Sequence, residues 1–111
     1  IGASTTRRKV TILRAEDWAD ACRDIGTALD WTARRANLLV EGLPPFAGGI
    51  GRCLRIGSAV LEINGETEPC SRMFEAHIGL PDALTPDWRG GACCHVVTAG
   101  EIRVGDAVEL I

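Results

Sequence analysis

The sequence predicts a mainly β protein of the α+β kind: a β-barrel or rolled sheet carrying one longer helix and one or two short ones. Three observations predict it. Short β-branched or alternating runs recur along the whole chain. Glycine and proline separate nearly all of them. Only one segment shows a sustained helical period.

Residues 1–6 are small and polar and read as a frayed start. Residues 8–13, Arg-Lys-Val-Thr-Ile-Leu, alternate weakly and predict a strand. Glu16 or Asp17 then opens a helix to about Leu29, with Trp18, Ala21, Cys22, Ile25 and Leu29 on its buried stripe. Gly26 is a weak point near its end, and 30–32 is a connection. Residues 36–40 form a second strand, ended by Gly42. Two prolines and three glycines make 43–51 a loop. Its Gly48-Gly49-x-Gly51 run lacks the Lys-Ser/Thr and the helix of a phosphate loop.

Residues 52–56 and 59–64 are strands joined through Gly57-Ser58. A short helix starts after Cys70 and ends near Gly79, and Pro81 begins a helical turn. Residues 92–98 form a strong strand. Ala99-Gly100 turns it into a strand over 101–104, and Gly105-Asp106 into a last one over 107–111. There is no internal repeat, so residues 1–111 are taken as one domain.

At 111 residues, 46% of them hydrophobic, the chain can build one modest core. A net charge of -3, few aromatics and no tyrosine argue against a nucleic-acid surface. No run is apolar enough to span a membrane, and no signal peptide is visible. Five cysteines, at 22, 53, 70, 93 and 94, include no CxxC and no zinc spacing. Reduced thiols in a cytoplasmic setting are expected. The sequence begins without Met, which reads as a processed or trimmed start.

The chemistry centres on Cys70. Pro69 stiffens the chain before it, and Ser71 can cap a helix opening at Arg72. A thiol there meets backbone N–H groups and the positive end of a helix dipole, which favours thiolate. The same residues also suit a buried cysteine at a strand-to-helix corner. On local sequence both readings stand.

Four ordered pieces resemble the MOSC domain family, the module named for the C-terminal part of molybdenum cofactor sulfurase. They are 8–13, similar to the family's Arg-x-Val-Thr strand; 34–42, similar to its Arg-Arg-Asn-Leu segment with Ala36 inserted; 55–63 with 66–73, which contain Pro69-Cys70; and 90–97 with 100–106. The resemblance covers 8–111 and implies a mixed-strand β-barrel with a molybdenum–pterin cofactor near the Pro-Cys cysteine. It makes Cys70 the functional thiol, either a molybdenum ligand or a sulfur carrier. It sets Arg35 and Asn37 near the site, and Arg72 beside the cysteine as a partner for cofactor phosphate. Members of the family carry sulfur for that cofactor or reduce N-hydroxylated bases and amidoximes. Family domains usually begin with further strands, whereas this sequence begins almost at the Arg-x-Val-Thr strand, so a natural short form or a trimmed one is expected. A homodimer through open strand edges is therefore expected.

Other residues have plainer readings. Cys93 and Cys94 alternate faces, so one is core. His95 is expected to be solvated or satisfied, and His77 to sit near a helix end. Asp106 serves its turn, and Glu66 and Glu68 could orient a substrate, although surface acids are the commoner reading. Besides a MOSC-type cofactor protein, two alternatives are open. One is a non-catalytic barrel binding a small ligand or a protein. The other is a cysteine hydrolase using Cys70 with His95.

Overall fold

In a computed structural model the protein is described over residues 9–34, 36–67 and 77–111. Cys70, Arg72 and Arg35, and the helix expected after Cys70, lie outside the described residues. Among the described residues six strands form one sheet: β1 (Lys9–Arg14), β2 (Leu38–Val40), β3 (Cys53–Ile56), β4 (Ala59–Glu66), β5 (Ala92–Thr98) and β6 (Val108–Leu110). Their order is β2-β1-β5-β4-β3-β6. β1 and β2 are parallel, and the other pairs are antiparallel. The sheet is therefore mixed. It curls until both edge strands, β2 and β6, line one cleft, which makes it a nearly closed barrel.

Alternation explains the barrel interior. Ile12, Leu54, Ile56, Leu61, Ile63, Ala92 and Cys94 point inward from their strands and are buried. Leu43 and Phe46 of the glycine- and proline-rich loop plug one end. Leu13 points the opposite way from Ile12, so β1 carries core on both faces. Its outer face is covered by α1 (Ala15–Ile25) and α2 (Leu80–Leu84), whose Trp18, Ala21, Leu80, Ala83 and Leu84 are buried against Leu13.

Helix α1 stops four residues before the expected Leu29. Gly26 takes φ 70°, a left-handed conformation that closes the last turn through N–H bonds to Arg23 and Cys22. Leu29 is still tied down, because its carbonyl accepts from the Trp18 indole at 2.8 Å. Residues 30–32, expected as a plain connection, open a 3-10 helix over Trp31–Arg34. Asp30 starts it: its Oδ1 accepts from the Thr32 N–H at 2.9 Å and the Thr32 hydroxyl at 2.6 Å. Those two bonds hold the Asp30 carboxyl below its ordinary range.

The strand expected over 101–104 does not form. Its backbone is spent elsewhere: Glu101 N–H donates to the Ser58 hydroxyl at 2.9 Å, and Arg103 N–H to Asp106 Oδ2 at 2.8 Å. Asp106 thus serves its turn as expected. Among the described residues no helix is long and apolar enough to cross a membrane.

Candidate functional site around Arg34

Strand β4 delivers Thr67, three residues before Cys70, to the end of the sheet facing the 3-10 helix. There Arg34, only 5% exposed, holds two chain segments together. Its Nε donates to the Gly90 carbonyl at 2.9 Å, and its Nη2 to the Thr67 carbonyl at 3.0 Å. Thr67 N–H donates in turn to the Gly91 carbonyl at 2.9 Å. The guanidinium fork suits this task, since its planar donors reach two acceptors at once.

The approach to Gly90 is shaped for that contact. Asp87 and Trp88 take φ 49° and 59°, left-handed values that turn the chain sharply before β5. A Cβ on Gly90 would meet the Thr67 oxygen at 2.5 Å and Arg34 Nη2 at 3.3 Å. Only glycine lets these backbones come so close. Thr67 Oγ1 is buried and has no hydrogen-bond partner among the described residues. A buried hydroxyl left this way is costly unless something else accepts or donates there.

Asn37 lies at the other end of the 31–37 segment. Its Oδ1 accepts from Thr11 N–H at 2.8 Å, and its own N–H donates to the Thr11 carbonyl at 3.0 Å. It locks β2 beside β1, and its side chain also lines the cleft at the barrel seam. Arg34 and Thr67 were not singled out from sequence. The available signal was the Arg34-Arg35 doublet, which leaves the choice of arginine open until Asp30 is seen to start a helical turn.

The remaining thiols and imidazoles divide as alternation requires. Cys94 faces the barrel interior, where burial, with the neighbouring Cys93, pushes its pKa up to about 12. Cys93 is half-buried on the other face. His95 stands in register between Lys9 and Glu62, and its Nδ1 pairs with the Asn64 side-chain amide at 2.8 Å. The register shift between Ile63 and Gly65 puts Asn64 there. His95 is therefore satisfied, as expected. His77 Nδ1 accepts from Gly79 N–H at 2.9 Å. Among the described residues no three His, Cys, Asp or Glu side chains converge as a metal site.

A small mixed-strand barrel, flanked by helices on one face and clamped by a buried arginine at the strand end leading to a Pro-Cys pair, defines a compact α+β barrel domain. The chain belongs to the MOSC domain family, whose model matches residues 3–109. That family is associated with molybdenum-cofactor binding. Solved structures similar to it include YiiM from Geobacillus stearothermophilus, with TM-score 0.79 and 21% identity over 92% of this chain and 53% of that one. The YuaD protein from Bacillus subtilis gives 0.77 and 22% over 94% and 64%, and YiiM from Escherichia coli 0.72 and 17% over 92% and 53%. At these identities the likeness is one of fold. This chain spans about half to two-thirds of the length of these structures. No curated protein matches it.

Proposed function

We propose that this chain binds a molybdenum–pterin cofactor and acts through Cys70, in sulfur transfer or in reduction of N-hydroxylated substrates. The observation that carries this reading is the Arg34 clamp. It fixes Thr67, and hence the start of the segment leading to Pro69-Cys70, against the head of β5. A reactive thiol needs a defined position, and buried side chains locked by hydrogen bonds give one.

One described group supports the cofactor reading. The buried Thr67 hydroxyl has no hydrogen-bond partner among the described residues, and an oxygen-rich anionic group would accept from it. On the family pattern Cys70 would hold molybdenum through a soft thiolate, with Arg72 meeting the cofactor phosphate and Arg35 and Asn37 near the site. When bound, the cofactor supplies two-electron redox chemistry or receives the transferred sulfur. The chain's own residues would bind it and orient it, with Cys70 acting as a thiolate on the family pattern. A homodimer through β2 or β6, the edge strands among the described residues, belongs to the same proposal.

The test is molybdenum content and oxidised-pterin fluorescence, on this protein and on Cys70→Ala, both made in a host that synthesises the cofactor. Stoichiometric molybdenum that disappears on substitution supports the reading. Folded protein with no molybdenum in either form overturns it in favour of a non-catalytic binding barrel.

A further inference from the structure

The seam between the two edge strands is a site of its own. β2 and β6 face each other across a cleft of about 570 Å³, a volume within the roughly 300–1,000 Å³ of small-molecule sites. Leu38 and Val40 from one side, and Ile56 and Val108 from the other, extend the apolar barrel interior to its surface. Trp31 also lines the cleft and packs against the helical core.

The polar groups of this cleft are not balanced. Arg103, its cationic side chain, is committed to Glu101 at 2.9 Å. Asp106 is committed to the Arg103 N–H. Glu41 also lines the cleft, and its carboxylate has no hydrogen bond or ion pair among the described residues. The uncommitted charge is thus negative and lines a largely apolar slot that also holds Trp31. A phosphate or carboxylate would be repelled there. An ammonium group would be held, while its hydrocarbon body displaced water from Leu38, Val40 and Val108.

We infer that the β2–β6 seam binds small organic amines, with an apolar or aromatic body between the edge strands and the ammonium on Glu41. This site is separate from the Arg34 clamp; an amine in the seam and a homodimer through the same strand edges are alternatives.

The test uses the full chain, labelled with nitrogen-15, and two probes of one size, 2-phenylethylamine and 3-phenylpropionate. The amine is expected to move the Leu38, Val40 and Val108 amides and the Trp31 indole signal saturably. It should bind at least about tenfold more tightly than the carboxylate. Glu41→Gln, an exposed change that leaves the unliganded spectrum intact, should weaken amine binding by about the same factor and abolish the preference. No shift with the amine, equal binding of both probes, or a preference that survives Glu41→Gln would each overturn the proposal. So would seam signals that change on dilution without any probe, because the slot would then be filled by a second copy of the chain.

Discussion

Arg34 and Thr67, 33 positions apart, are joined by a hydrogen bond of 3.0 Å from the guanidinium Nη2 to the threonine carbonyl. The same guanidinium holds Gly90, so one buried cation ties three separate stretches of chain at the end of the barrel.

Arg34→Lys should therefore be costly although it keeps the charge. A lysine ammonium cannot span both carbonyls in the fork geometry, and it leaves at least one buried acceptor unpaired. The expected loss is about 2–3 kcal/mol in urea unfolding. A variant as stable as the parent would remove the clamp from the account.

Gly90→Ala probes the same contact from the other side. Its methyl would collide with the Thr67 carbonyl, a backbone atom that cannot rotate away. A loss of about 1–3 kcal/mol is expected. Combined with Arg34→Lys the costs should be less than additive, since both disturb one contact. Strict additivity in a double-mutant cycle would show that the two act separately.

Glu16 gives a pH-dependent prediction. Its carboxylate accepts from the Gly42 N–H at 2.8 Å, and this bond, with its own backbone N–H and nearby Arg14, holds its pKa below the ordinary 4.5. A carboxyl depressed in the folded state stabilises above its unfolded pKa, and that contribution is lost as pH falls through the folded one. Glu16→Gln should thus be less stable than the parent at pH 7, by a margin that narrows below pH 4.5. Urea midpoints at several pH values measure it, and a margin constant down to pH 3 would contradict the assignment.

Cys94 should be the slowest described thiol to alkylate. With a pKa of about 12 and no solvent exposure, it offers almost no thiolate in the native protein. Mass mapping after iodoacetamide treatment should find Cys22, Cys53 and Cys93, all half-buried, modified before Cys94, which reacts only after unfolding. Early modification of Cys94 would mean that the barrel opens readily.

Much of this fold was legible in sequence, for a definite reason. The strands over Ala92–Thr98 and Ala59–Glu66 alternate in burial, so period two marks them directly. Trp18 and Ala21 likewise mark α1. What escaped depended on side chains bonding to backbone. Asp30 turning a connection into a 3-10 helix, and Ser58 with Asp106 claiming the backbone of 101–103, leave no periodic trace. Arg34 escaped for the same reason. Burying a guanidinium requires two carbonyls from Thr67 and Gly90, and nothing local to residue 34 announces them. The expected site residues Cys70, Arg72 and Arg35 were drawn from motif order and fall outside the described residues.

The strand order also fixes a timetable. Strand β5, which separates β1 from β4, is among the last pieces of this sequence to leave a ribosome. Among the described strands β1 has the three-residue β2 as its one sheet neighbour until residues 92–98 exist, and Ile12 has no barrel to enter. The β3–β4 hairpin can form early, because its pairing is local. The β1–β2 pair and the β3–β4 hairpin therefore stay unjoined until β5 is made. Slow translation ahead of β5 would prolong the exposure of both apolar faces, and with it the opportunity for aggregation.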